Sequence, residues 1–177
     1  MKQLTHYDIE NKQHQFPITI VCDAIRTPEN IGMCFRISES FGVEKIYFHE
    51  SSPTIENRIV KKTARNTVNQ IEHASYTDFT AIIKKLKEAG NTIIGIEITD
   101  KSINIQDFEF KNHEKIVLLL GSERNGIENI QLVDHTVAIP MFGRNSSMNV
   151  VHSLAITLYE VTNKISIGSS SSNSNRK

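Results

Sequence analysis

Short apolar runs without polar alternation recur along the chain, at Ile18 to Cys22, Lys45 to Phe48, Thr92 to Ile98, Lys115 to Leu120 and Thr136 to Ile139. Strands buried on both faces read this way, because helices covering a parallel sheet leave neither set of alternating side chains in water. A weaker run, Val68 to His73, is assigned as a further strand.

Between these runs the apolar spacing turns helical. Thr27-Pro28-Glu29-Asn30 reads as a helix start, with Thr27 placed to cap and Pro28 tolerated at the first helical position. Cys34, Ile37 and Phe41 then set one apolar stripe while Arg36, Glu39 and Ser40 face elsewhere, until Gly42 ends it. Ile55 to Asn66 reads as a helix with a basic side made by Arg58, Lys61, Lys62 and Arg65. Phe79, Ile82, Ile83 and Leu86 define a third helix, backed by Lys84, Lys85, Lys87 and Glu88 and stopped at Gly90. Gly126 to Val133 is assigned as a short helix. From Ser147 on, Val150, Val151, Leu154, Ala155, Leu158 and Val161 mark a last helix that ends near Lys164. Ile103 to Phe110 fits neither period and is assigned to a loop with a helical turn.

Strands alternating with helices define an α/β fold with a mainly parallel sheet flanked by helices. The expected organisation is a polar lead over 1–16, one domain over 17–165 and a tail over 166–177. The tail is rich in Ser and Asn, too polar to pack, and is expected to be disordered.

At 177 residues one domain buries roughly 70% of the surface its unfolded chain exposes, so neither metal nor disulfide is needed to hold it. Lys plus Arg equals Asp plus Glu at 20 each, so any surface for a polyanion must be a local patch. The two cysteines, Cys22 and Cys34, show no metal-ligand spacing and read as buried thiols. The polar start carries no secretory signal and no apolar run approaches a membrane span, which points to a reduced, cytoplasmic setting.

Several chemistries are excluded. The eight glycines never form the dinucleotide fingerprint, and Gly121 to Gly126 imitates a phosphate-binding loop with Ile127-Glu128 where Lys and Ser or Thr are required. No Gly-x-Ser-x-Gly elbow is present. What remains is a set of polar residues following the strands, where ligands sit in open parallel sheets: Asn30 and Arg36, Ser122 to Asn125, and Arg144 to Asn149. Arginine and amide groups suit a ligand with phosphates and hydroxyls. Each also has a plain structural reading. Asn30 fits a helix's first turn and Arg36 a surface position. Glu123 fits the N-terminus of the helix that follows it. Ser147 fits an N-cap for the last helix, with Asn149 in its first turn.

Taken together, three blocks resemble the motifs of the SpoU/TrmH branch of the SPOUT methyltransferases: Asn30-Ile31-Gly32 to Arg36, Leu120-Gly121-Ser122-Glu123 to Gly126-Ile127, and Ile139-Pro140-Met141 to Ser147-Met148-Asn149-Val150. The resemblance covers Ile18 to Lys164. It implies a SPOUT-type fold with a C-terminal trefoil knot, and a homodimer that transfers the methyl group of S-adenosylmethionine to a ribose 2′-oxygen in tRNA or rRNA, without a metal. By position it carries over Asn30, Arg36, Glu123, Ser147 and Asn149 as catalytic-site residues. Ile96, Gly121, Ile139 and Met148 fall around the cofactor, Met148 standing where Leu is usual. Arg36 is the residue most tied to catalysis. Because a guanidinium stays protonated, its expected role is to hold phosphate and developing charge. Arg26, Lys61, Lys62, Arg65, Arg124 and Arg144 are the candidates for an RNA-facing surface. A catalytically silent RNA-binding dimer and a methyltransferase with a non-RNA acceptor are the alternatives.

Overall fold

Among the described residues seven strands, all parallel, form one sheet: β1 Phe16–Cys22, β2 Val43–His49, β3 Glu72–Tyr76, β4 Thr92–Ile96, β5 Ile103–Asn104, β6 Ile116–Leu120 and β7 His135–Ala138. The computed structural model describes residues 1–5, 8 and 13–171, the last five of these by backbone alone. The strand order is β3-β2-β1-β6-β4-β7-β5, so β6 is inserted between two strands that precede it in the chain. Cys22 pairs with Phe48 on one side and Leu120 on the other, and Ile94 pairs with Leu118.

Every residue of β6 is at most 1% exposed, because helices cover both faces. On one face α1 Pro28–Ser40, α2 Arg58–Ala64 and α4 Val150–Ser171 pack Ile31, Phe35, Val60, Leu154 and Leu158 around Ile20 and Leu118. On the other, α3 Phe79–Glu88 sets Phe79, Ile82, Ile83 and Leu86 against Val21, Val117 and Leu119. Burying a side chain of this size stabilises by about 1.5–3 kcal/mol, which is why the unalternated runs form the centre of the sheet.

Five differences from the sequence reading have local causes. First, α2 begins at Arg58, not near Ile55, because the Asn57 side chain accepts hydrogen bonds from the amides of Ile59 (2.8 Å) and Val60 (3.4 Å). It ends at Ala64, because Arg65 turns away at φ 55° and ψ −129°. Second, the weak third strand is displaced: Thr67–Asn69 is a 3-10 turn and β3 starts only at Glu72. Third, Ile103 and Asn104 are not loop but a two-residue edge strand on β7, and the helical turn lies after them at Phe110–Asn112. Fourth, the helix expected over Gly126 to Val133 shrinks to a 3-10 turn, Ile130–Leu132, because Gly126 closes a tight turn with Ser122.

Fifth, α4 runs past Lys164 to Ser171. Ile165 still packs on the core. The Lys164 ammonium donates to the carbonyls of Ile105, Gln106 and Phe108 at 3.3, 2.6 and 2.9 Å, tying the helix to the segment after β5. The tail expected over 166–177 thus begins on this helix, and 172–177 lie outside the described residues.

At the crossing of α1 and α2, a Cβ on Gly32 would stand 2.6 Å from Thr63 Cβ, 2.9 Å from the Ala64 amide nitrogen and 2.9 Å from the Val60 carbonyl. Two of these are backbone atoms that cannot yield singly, so the whole of α2 would have to move. Gly32→Ala is expected to destabilise by about 1–3 kcal/mol, read as a lowered melting temperature.

Candidate functional site

The loop leaving β6 turns back at once. The Ser122 amide donates to the Gly126 carbonyl (3.0 Å), and the Gly126 amide donates to the Ser122 carbonyl (3.1 Å). A Cβ on Gly121 would lie 2.1 Å from the Gly126 carbonyl carbon, so the turn closes only with glycine there. Gly126 has φ +64°, and a Cβ on it would lie 2.3 Å from Glu97 Oε2. Glu97 braces the same turn from β4's end, accepting from the Ile127 amide (3.2 Å) and the Ile98 amide (2.9 Å).

This turn presents Glu123 to the loop after β1. Ala24 takes a left-handed φ of 55°, a conformation that L-residues hold only at a cost, and the chain then runs over Arg26 and Thr27 into α1. The Glu123 carboxylate accepts from the Arg26 amide (3.0 Å), the Thr27 amide (3.0 Å) and the Asn30 side-chain amide (2.9 Å). Burial pushes this carboxyl upward, but the hydrogen bonds from Arg26, Asn30 and Thr27 outweigh it and hold the group down at about 2. The anion therefore sits at the N-terminus of α1, where amide donors and the helix dipole favour it. It does not face the segment that follows it in sequence. Thr27 is the N-cap by backbone alone, since its side chain makes no capping bond.

Asn30 is 6% exposed and uses its other end to reach the third loop: its side-chain oxygen accepts from the Asn149 side-chain amide (3.2 Å). The Asn149 oxygen accepts from the Val151 amide (2.9 Å), so Asn149 caps α4, the part expected of Ser147. A continuous chain of hydrogen bonds, Glu123 to Asn30 to Asn149, therefore joins the three sequence blocks.

Beside this chain lies a cleft of about 640 Å³, within the range of small-molecule sites. Ile96, Gly121, Ile139 and Met148, the four residues expected around a cofactor, all line it, together with Glu123, Ser147 and Asn149. Its walls combine the apolar side chains of Ile96, Ile127, Ile139 and Met148 with the polar Glu97 and Thr99. A flat apolar ring system with a polar ribose fits such a lining. Glu97 and Thr99 were not singled out in the sequence; the signal available was the glycine at 126, which leaves room for the Glu97 carboxylate.

Arg36 is placed apart. It lies six residues beyond Asn30, about 9 Å along the axis of α1, and does not line the cleft. Among the described residues its guanidinium makes no hydrogen bond or ion pair. The expected RNA-facing cations fall in three places. Arg26 and Arg124 line a second hollow that shares the Ser122–Asn125 wall with the cleft. Arg144 stands in the exposed loop after β7. Lys61, Lys62 and Arg65 are exposed at α2, Lys61 being paired with Glu56 at 2.6 Å. Among the described residues no group of three or more His, Cys, Asp or Glu side chains is arranged to hold a metal.

Fold and site together define an α/β protein with a ligand cleft built from loops at the carboxyl edge of a parallel sheet. The model of one family, the SpoU rRNA methylase family, matches residues 17–159, and the chain belongs to that family. It is 28% identical over 155 residues to the 23S rRNA (guanosine-2′-O-)-methyltransferase RlmB of Neisseria meningitidis, covering 86% of this chain and 61% of that protein. It is 27% identical over 163 residues to RlmB of Vibrio parahaemolyticus, covering 90% and 65%. The chain thus spans less than two thirds of the length of these relatives. The fold is shared with the A. aeolicus TrmH/SpoU tRNA modifying enzyme, at a TM-score of 0.79 and 19% identity over 89% of this chain and 79% of that one. It is shared too with AviRb from Streptomyces viridochromogenes in complex with AdoMet, at 0.75 and 20% identity over 90% and 64%.

The held-down carboxyl of Glu123 makes a pH prediction. An unfolded glutamate titrates near about 4.3, so this group's stabilisation is complete above that pH and is lost as pH falls from about 4.3 towards 2. Glu123→Gln, which brings an amide donor to face donors, is expected to melt below the wild type at pH 7. That gap should narrow through the same acid window in thermal melts taken against pH.

Proposed function

We propose that this chain transfers the methyl group of S-adenosylmethionine to a ribose 2′-oxygen in RNA. The observation that carries the reading is the hydrogen-bonded chain Glu123–Asn30–Asn149 at the edge of a cleft lined by all four expected cofactor residues. Support from outside the chain is that RlmB relatives are named as methyltransferases acting on guanosine 2′-oxygen in 23S rRNA.

The lining supports this reading: Ile96, Ile139 and Met148 offer apolar contact to adenine, and Glu97 offers a carboxylate to ribose hydroxyls. When bound, S-adenosylmethionine supplies a methyl carbon activated by a positively charged sulfur. The chain's own part is to align the acceptor and manage charge. Glu123 is a positioning residue. With three donors on its carboxylate and a carboxyl held down at about 2, it is too weak a base to take a hydroxyl proton. Asn30 and Asn149 keep the first and third loops in register with it. Ser147, beside Asn149, offers a hydroxyl to the incoming ribose. Arg36, outside the cleft and without a partner among the described residues, holds the phosphate adjoining the acceptor ribose, while the hydroxyl proton passes to phosphate or water.

The same reading extends to assembly and path. A homodimer is supported by the apolar side chains left in water on α4, Ile156 at 41% and Tyr159 at 60% exposed, and by Phe142 at 98% in the loop after β7. A trefoil knot is supported by the insertion of β6 between β1 and β4 and by the return of α4 onto α1. We place the domain over 17–165 and its work in the cytoplasm, where free thiols such as Cys22 and Cys34 persist. Among the described residues no helix is long and apolar enough to cross a membrane.

Arg36→Ala is expected to abolish methyl transfer to RNA while leaving S-adenosylmethionine affinity within about tenfold, because the residue stands outside the cleft. Transfer of labelled methyl to bulk rRNA and tRNA, with RNase treatment of the product, reads the first. Calorimetry reads the second, and a collapse of cofactor affinity would remove Arg36 from the assigned role.

A further inference from the structure

The residue after α2 is built against its own backbone. Arg65 has φ 55° and ψ −129°, a region that glycine enters freely and L-residues enter at a cost. The conformation is over-determined by its surroundings. The Arg65 amide donates to the Lys61 carbonyl (3.0 Å), and the Ala64 carbonyl accepts from the Thr67 hydroxyl (2.6 Å). The Gln70 amide then closes the next turn on the Thr67 carbonyl (3.0 Å). The fold thus demands a glycine-like turn here and receives an arginine.

Nothing among the described residues accounts for that arginine. Its side chain is exposed, and among the described residues its guanidinium makes no hydrogen bond, ion pair or ring contact. Its position, in contrast, is informative. Ala64, the preceding residue, touches α1 at Gly32, where a Cβ would stand 2.9 Å from the Ala64 amide nitrogen. Gly32 lies two residues after Asn30 and one helical turn before Arg36. Residues four apart share a helix face, so the face of α1 that meets α2 at Gly32 is the face that carries Arg36. Arg36, one turn on from Gly32, and Arg65, next to Ala64, thus attach to the two backbones that meet at this crossing, close in sequence to Asn30, and neither guanidinium has a partner among the described residues. Arg58 and Lys62, exposed on α2 and without ion pairs among the described residues, add positive charge on the outer face of that helix.

We propose that Arg65 is a substrate-contact residue, held in a strained turn so that its guanidinium and that of Arg36 grip consecutive phosphates of the RNA strand carrying the acceptor ribose. The inference rests on the RNA reading above and deepens it. Arginine matches phosphate with two parallel N–H donors, and two such groups on one rigid crossing fix the strand's path and not merely its attraction.

Arg65→Gly and Arg65→Ala separate strain from charge, since both remove the guanidinium but only glycine relieves the turn. Thermal melts without RNA should place Arg65→Gly about 2–6 °C above Arg65→Ala, which melts with the wild type. Filter binding to bulk rRNA and bulk tRNA between about 50 and 200 mM salt should show both variants bound roughly 3- to 30-fold more weakly. The logarithmic salt slope should be lower by about 0.7, one phosphate contact on a single strand. S-adenosylmethionine affinity should be unchanged in both. Wild-type RNA affinity and slope in either variant, or no gain in melting temperature for Arg65→Gly, overturns the inference alone. A wild-type protein that neither binds nor methylates these RNAs overturns the functional reading and this inference with it.

Discussion

One carboxylate organises the carboxyl edge of this sheet. Glu123 collects the amides of Arg26 and Thr27 and the side chain of Asn30 from positions more than ninety residues away in the chain, and Asn30 passes the connection on to Asn149, a further 119 residues along. Polar loops rich in Gly, Ser and Asn have little apolar surface with which to hold each other. A charged acceptor with three donors supplies the missing fixity, because hydrogen bonds to an ionised group are shorter and stronger than neutral ones. Remove the charge and the loops keep their sheet but lose their common reference point.

That carboxylate reaches its donors only because the turn beneath it is very tight. Gly121 and Gly126 approach so closely that any side chain at 121 would overlap the backbone at 126, and Glu97 fills the space that a side chain at 126 would need. The same device recurs at Gly32, whose missing side chain lets α1 approach Thr63 and the backbone of α2. Close backbone approach removes freedom from the loops, so a ligand entering the cleft pays little to order its surroundings. The backbone is strained at Ala24 and Arg65; Ala24 lies in the loop whose amides donate to Glu123, and Arg65 closes α2.

The central strands were legible because their composition states their environment: an unalternated run such as Ile116 to Leu120 is stable only with both faces covered. The helices α1 and α3 were legible for the matching reason, a one-sided apolar stripe. Elements without such a signature were misread. Ile103 and Asn104 pair with β7 at the sheet's edge although both are exposed, so no burial pattern marks them. The helix assigned over Gly126 to Val133 fails because its first residue is engaged in closing the turn under Glu123. Thr27 and Ser147 have the chemistry of caps, yet the Glu123 carboxylate, accepting from the Thr27 amide, and the side chain of Asn149, accepting from the Val151 amide, serve those two helix starts.

By itself the order of residues determined the α/β layering, the buried centre of the sheet and the three polar blocks, since these follow from local hydrophobic spacing and side-chain type. Only the tertiary structure decided which partner each polar group takes. Glu123 turns towards α1 and not towards the segment beside it in the chain, and Asn149 reaches Asn30 from 119 residues away. The reason is physical: hydrogen bonds and charges act over a few ångströms of space, and which groups come that close is set by strand order and helix crossing, not by spacing along the chain.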